Sequence, residues 1–290
     1  MAKTINQGFQ GLKSNLEITG LQETTVSQRQ QNVREALVRD LAVIDDFLTG
    51  SYRRSTMIAP LAKADIDIFC ILSSSLFTDY QYQGQANLLD RVKRVLQRAY
   101  NTTFDISRDG QAVTIAFTDF KVDVVPAFNR QGGGYIIPNS ISRQWIPTDP
   151  KKHIELWSQA NRSHMNDLVP LIKMLKCWKR DANVDVSSFF FECLILQILT
   201  NINITDFPSG ARFVFDKARS AIQLPVADPA GYNSNVGQYL SQNKIIDAVS
   251  KLETAYTRAK NAEQAASRGN FEEAFRNWRL VFGNYFPTYE

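Results

Sequence analysis

Histidine and cysteine are scarce in this chain of 290 residues, which has two of the first and three of the second. His153 and His164 stand eleven positions apart, and Cys70, Cys177 and Cys193 show no CxxC spacing, so no zinc site is expected. Each cysteine sits in an apolar segment and their number is odd, which suits reduced core thiols rather than a disulfide framework. Long apolar runs are missing as well: none approaches the ~18 residues of a membrane span, and the opening MAKTINQGFQGLKSNLEITG is polar. Neither insertion nor secretion is therefore expected, which leaves a cytoplasmic address and no membrane partner. Charge of one sign is not in excess either. With 33 Lys+Arg against 29 Asp+Glu, the net +4 is too mild for a nucleic-acid track and is compatible with small anionic ligands. What remains is an ordinary globular composition, 44% hydrophobic and 21% charged, enough for one large domain or two sharing a core.

The order of patterns suggests two halves. Val33, Leu37, Leu41, Ile44 and Leu48 recur at helical spacing, predicting one long helix over 27–48 with Ser27 and Gln30 as its capping box. DIDIFCIL alternates as a strand, NLLDRVKRVLQRAY reads as a helix, and TTFDIS and AVTIAFT form a hairpin about Asp109-Gly110, followed by the strand FKVDVV. Pro126, the glycines 132–134, Pro138 and Pro147 read as a loop-rich passage, after which Asp149 and Pro150 open a helix as N-cap and first helical residue. From there nearly everything is helical. The expected architecture is α+β, with a mixed, largely antiparallel sheet over residues 1–147, including the long N-terminal helix, and a helical domain over 148–290.

Charge inside the strands is the feature that needs explaining. Side chains two apart in a strand share a face about 6.6 Å apart, so Asp65 and Asp67 point one way while Ile66, Ile68 and Cys70 pack behind. In FKVDVV, Phe120, Val122 and Val124 make one face and Asp123 the other, so a third carboxylate can join the pair if the strands are neighbours. Three such acids repel one another unless cations lie between them; two Mg²⁺ ions, with Mn²⁺ as a substitute, would neutralise them and take phosphate oxygens. Fifteen residues before Asp65 stands Gly50, which lets the backbone approach a phosphate, and Ser51 adds a hydroxyl and an N–H.

At this point the chain resembles the polymerase-β type of nucleotidyltransferase, marked by Gly-Ser, a spacer, [DE]xD on a strand and a later Asp on another. Within that group, TGSYRRSTMIAPLAKADIDIF, VDVVPAF, LIKMLKCWKR, SSFFFECL and FRNWRLVFGNYFP resemble the bacterial cyclic-oligonucleotide synthases called CD-NTases, relatives of cyclic GMP-AMP synthase and oligoadenylate synthetase. The resemblance implies that Asp65, Asp67 and Asp123 are catalytic and metal-binding. It also implies that the helical domain completes a nucleotide cleft, and that the product is a cyclic second messenger, a dinucleotide above all, made in antiphage (CBASS) signalling. ATP with GTP, UTP or a second ATP would be the substrates, and a separate effector would bind the product. The Cys/His cluster of the animal DNA sensor's zinc insertion is missing, so no nucleic-acid activator is expected, and a monomer is.

On LVPLIKMLKCWKR, Lys173, Lys176 and Arg180 fall at spacings of three and four, predicting a charged stripe opposite Leu168, Leu171, Ile172 and Leu175 that would suit a triphosphate. By resemblance, Lys176 matches the lysine that binds the donor triphosphate, Ser188 the serine beside it, and Phe189 stands where a tyrosine stacks on a base. Asn166 could reach a base edge or cap the helix that follows it. The alternative function is transfer of a nucleotide to an RNA, protein or small-molecule acceptor; a nucleotide-binding regulator without activity would normally have lost an acid.

Overall fold

The computed structural model of the chain describes residues 3–100 and 105–290. Two compact units emerge, one of residues 18–155 and one of residues 1–17 together with 156–290.

The first unit is built on a sheet. Helix α2 (Gly20–Asp40) leads into β1 (Val43–Thr49), the one-turn helix α3 (Gly50–Arg53) and β2 (Asp65–Leu72). The short α4 (Phe77–Tyr80) and α5 (Gln85–Ala99) follow, then β3 (Asp105–Asp109), β4 (Ala112–Ala116), β5 (Lys121–Asn129), β6 (Tyr135–Asn139) and β7 (Gln144–Thr148). Among the described residues the strand order is β1-β2-β5-β4-β3, with β6 and β7 continuing from β5. Among the described strands only β2 and β5 run parallel; the other pairs are antiparallel, the mixed sheet expected from the sequence. Ile66, Ile68 and Cys70 of β2, Val122 and Val124 of β5, and Val113 and Ile115 of β4 join Val33 and Leu37 of α2 and Leu88, Val92 and Leu96 of α5 in the main core. The opposite face carries a smaller apolar cluster, Phe69, Ile71, Ala127, Tyr135 and Ile137.

Three expectations are corrected here. The helix expected over 27–48 ends at Asp40; Leu41 turns extended, and 43–49 pairs with β2 from Val43↔Leu72 to Thr49↔Asp67. Ile44, assigned to the buried stripe, is 58% exposed, because a short apolar run satisfies both periods until a partner strand chooses one. Ser27 and Gln30 lie inside α2; the capping box is Thr19–Gln22, whose side chains bond each other's backbone N–H at 3.3 and 2.9 Å. The passage expected to be loops from Pro126 on holds the end of β5, with Pro126 opposite Cys70, and the β6–β7 hairpin, in which Pro138 faces Trp145 and Pro147 faces Ile136. Proline is tolerated in β7 because that strand forms the margin of the sheet. The β3–β4 hairpin stands as expected, Asp109 pairing Ala112 across a turn with Gly110 at φ +55°; Thr102, Thr103 and Phe104 of the expected strand lie outside the described residues.

The second unit is helical: α1 (Ile5–Asn15), most of α6 (Pro150–Ser163), α7 (Leu168–Asp181), α8 (Ser188–Leu199), α9 (Phe207–Ala221), α10 (Gln242–Ser267) and α11 (Phe271–Phe282). Asp149 caps α6 as expected, accepting the Lys152 N–H at 3.0 Å. Helix α1 belongs here rather than with the sheet, and the division falls at 155/156 inside α6 rather than at 147/148. The reason is apolar: Phe9 meets Trp278 edge-on at 4.8 Å and Phe286 at 5.3 Å, while Gly8 lies so close that an added Cβ would stand 2.6 Å from the Phe286 ring. Among the described residues no helix is long and apolar enough to cross a membrane.

Candidate active site

The sheet lines up four polar side chains in one row. Thr49 of β1 is the register partner of Asp67 on β2, Asp67 that of Asp123 on β5, and Asp123 that of Thr114 on β4. Register partners point to the same side of a sheet, and valine and isoleucine alternate with the two acids and Thr114, and Leu48 precedes Thr49, on the side of the main core, so all four face away from it. The strand order, which the sequence leaves open, is what makes Asp67 and Asp123 direct neighbours. Asp65, two residues earlier on the same face, is opposite Lys121. Desolvation raises its carboxyl above the ordinary aspartate range, and the Lys121 ammonium works against that shift.

Thr114 donates its hydroxyl to Asp123 Oδ1 at 2.6 Å. On the other side of the row, Gly50 adopts φ +64° and presses on the neighbouring acid: a Cβ built there would stand 1.7 Å from Asp67 Oδ2. No other residue type fits that approach. The Ser51 carbonyl accepts the N–H groups of Thr56 at 2.9 Å and Met57 at 3.1 Å, closing the Gly-Ser turn.

Among the described residues no three His, Cys, Asp or Glu side chains are drawn together as a metal cage. The donors that share this face are carboxylates, the oxygen set suited to a hard divalent cation, and the missing side chain of Gly50 is what lets the Asp67 carboxylate occupy its place.

In the helical unit the expected charged stripe is already answered by partners. Leu168, Leu171, Ile172 and Leu175 are buried as expected. Lys173, however, reaches Glu17 Oε2 at 2.6 Å, and Arg180 lies beside Asp181 and over the Tyr285 ring. Lys176 is not on a solvated face: it is 6% exposed, and its ammonium donates to Glu192 Oε1 at 2.8 Å from a carboxylate with no exposure. The half-buried Lys179 has its pKa lowered, first by burial and then by the neighbouring Lys176 charge, with Asp185 and Glu192 opposing.

Ser188 is the exposed first residue of α8, while Ser187 caps that helix by accepting the Phe190 N–H at 3.1 Å. Phe189 stacks on Trp157, ring centres 6.0 Å apart and 21° from parallel. Asn166 has φ +68° in the turn before α7 and accepts from Asn161 Nδ2; the α7 entry is served by Asn161, whose Oδ1 takes the Val169 N–H at 2.9 Å. Sequence reasoning passed over Thr49, Thr114, Lys121, Lys179 and Glu192. The alternation of AVTIA marked Thr114 as facing away from the core, but nothing local said which strand it would lie beside.

Gly-Ser ahead of a strand with two acids, beside a parallel strand bearing a third, on a mixed sheet within an α+β chain, defines a nucleotidyltransferase. The comparisons agree. The Second Messenger Oligonucleotide or Dinucleotide Synthetase domain matches residues 3–161, more than half of the chain, and the protein belongs to that family, as a bacterial CD-NTase that makes cyclic oligonucleotides. A cyclic AMP-AMP-AMP synthase of Acinetobacter is 25% identical over 98% of this chain and 86% of its own length. A probable cyclic nucleotide synthase of Bacillus cereus is 24% identical over 83% of this chain and 82% of its own. The fold is shared with the Vibrio cholerae DncV cyclic AMP-GMP synthase bound to the linear intermediate 5′ pppA(3′,5′)pG, at a TM-score of 0.78 and 16% identity over 99% and 97% of the two chains. Escherichia coli MS115-1 CdnC with ATP gives 0.76 at 15% identity over 97% and 98%.

Proposed function

We propose that this chain joins nucleoside triphosphates into a small cyclic oligonucleotide at the face bearing Asp65, Asp67 and Asp123. The observation that carries the reading is the parallel register Asp67↔Asp123 beside the Gly50 contact, within the stretch that matches the synthetase family. The three carboxylates are the residues that would hold Mg²⁺ or Mn²⁺. Bound there, such ions would supply positive charge to the triphosphate and lower the pKa of the acceptor hydroxyl. Gly50 brings backbone close to Asp67, and Ser51 after it would offer a hydroxyl and an N–H to a donor phosphate oriented for in-line displacement with pyrophosphate as leaving group. By family resemblance, Ser188 and Phe189 are proposed to contact nucleotide; Lys173, from its place in the α7 charge series, and Asn166, from its place before α7, are proposed to do so as well. Lys176, closed on Glu192, is proposed to serve it indirectly by tying α7 to α8.

A growing polymer needs a basic track, and a net charge of +4 supplies little of one, which favours closure of a short intermediate. The sequence-based expectation is a ring of two nucleotides; the Acinetobacter relative, named for a ring of three adenylates, supports a trinucleotide as the second reading. A role in antiphage signalling, with a separate protein receiving the product, follows from the family resemblance. The test is incubation with all four labelled ribonucleoside triphosphates and Mg²⁺, then phosphatase, chromatography and mass measurement. Resistant species with the mass of two or three nucleoside monophosphates less as many waters support the reading and count the ring. A ladder of linear products would replace it with a polymerase, and product formed only with an added acceptor would replace it with transfer to that acceptor.

A further inference from the structure

We propose that Thr114 is a positioning residue for this reaction, setting the direction of the Asp123 carboxylate; the inference rests on the proposed role of Asp123. Neither the Gly-Ser nor the three-acid pattern includes Thr114. It enters the site through β4, which lies antiparallel to β5 with Thr114 directly opposite Asp123. Its neighbours Val113 and Ile115 have no solvent exposure, so the strand that carries it is anchored in the core on the far side. A β-branched side chain in a strand has few χ1 choices, and its hydroxyl carries a single proton. That proton goes to Asp123 Oδ1 at 2.6 Å, the short distance of a hydroxyl bonded to an ionised carboxylate. Tying one oxygen fixes the plane of the carboxylate and with it the direction in which the second oxygen looks. Asp67, in the same row, is confined from its own side by Gly50. The two central acids are thus each held by an outer neighbour, one by a hydrogen bond and one by close contact.

Partners that orient a metal-binding side chain typically contribute about 10- to 100-fold to metal affinity or activity when removed. The variants are Thr114→Val, which keeps shape and strand preference but loses the hydroxyl, and Thr114→Ser, which keeps the hydroxyl. Mn²⁺ binding is followed by electron paramagnetic resonance in the full chain without nucleotide, alongside turnover and melting temperature. Thr114→Val should bind Mn²⁺ about tenfold more weakly and lose about 10- to 100-fold in kcat, with KM for nucleotide within about twofold and melting nearly unchanged. Thr114→Ser should return both quantities to within about threefold of wild type. If Thr114→Val binds Mn²⁺ and turns over like wild type while Asp123→Asn abolishes binding, the proposal falls and the site reading stands. If serine is as impaired as valine, the hydroxyl is not the cause and the proposal falls. If wild type shows no Mn²⁺ binding that Asp123→Asn removes, the site reading falls and the proposal with it.

Discussion

Replacing Gly50 by alanine tests the geometry of the site at one atom. The added Cβ would sit 1.7 Å from Asp67 Oδ2 and 2.5 Å from its Cγ, in a backbone conformation of φ +64°. Reaching an ordinary contact of about 3.5 Å requires the carboxylate, the backbone, or both to retreat by well over 1 Å. The left-handed conformation alone costs a residue with a Cβ about 1–2 kcal/mol. In a chain of this size that is a fall in melting temperature of about 2–8 °C. The larger effect should be on catalysis, because displacement of a reacting group by about 1 Å costs on the order of a hundredfold in rate. Gly50→Ala should therefore melt a few degrees early and turn over at about one-hundredth of the wild-type rate or less. Gly132→Ala is the control: φ there is +89° and nothing lies within 4 Å of an added Cβ, so it carries backbone strain without the collision. Pyrophosphate release and a thermal melt, measured on both variants, separate the two contributions. Retention of more than about a third of wild-type turnover by Gly50→Ala, against the hundredfold loss expected from a displaced carboxylate, would show that the Asp67 position is not held by this contact.

Other expectations are as direct. Asp67→Asn is nearly isosteric and should leave the melt intact while reducing turnover by powers of ten, and EDTA should do the same to wild type; more than about a tenth of the rate surviving in Asp67→Asn would remove that acid from the chemistry. Lys176→Met leaves the fully buried Glu192 without its lysine partner and should cost about 3–5 kcal/mol, whereas Lys176→Met with Glu192→Leu should recover most of that in chemical denaturation; equal losses in both variants would contradict a buried, paired lysine. Lys179 has a lowered pKa, so its ammonium disfavours the fold at every pH below the folded value, and the penalty disappears as pH rises toward the ordinary 10.5. Lys179→Met should accordingly raise the melting temperature at neutral pH, with the gain shrinking at alkaline pH; a gain independent of pH would assign it to packing alone. Burial pushes the Cys70 and Cys177 thiols up to about 12, and neither should be alkylated at pH 8 until the protein unfolds, which mass measurement after iodoacetamide treatment would show.

The three acids, the Gly-Ser turn and the α7 and α8 segments could be read in the sequence because each depends on local pattern. An aspartate between isoleucines in a strand faces away from the side that packs, and the glycine of GSYRR marks a backbone turn ahead of DIDIF. What no local pattern carries is which strand lies next to which. Only the tertiary structure set β5 parallel to β2, so that Asp123 came level with Asp67, and placed β4 so that Thr114 met Asp123. The same limit explains the errors. Val43–Thr49 has apolar spacing that a helix would also accept, and pairing with β2 decided for a strand; in 135–148, Pro147 speaks against a strand taken alone but is tolerated on β7 at the margin of the sheet. Lys176 illustrates it at the scale of one side chain. Its place in the i, i+3, i+4 series says only which side of α7 it takes, and whether that side meets water or the Glu192 carboxylate depends on how α8 packs against α7.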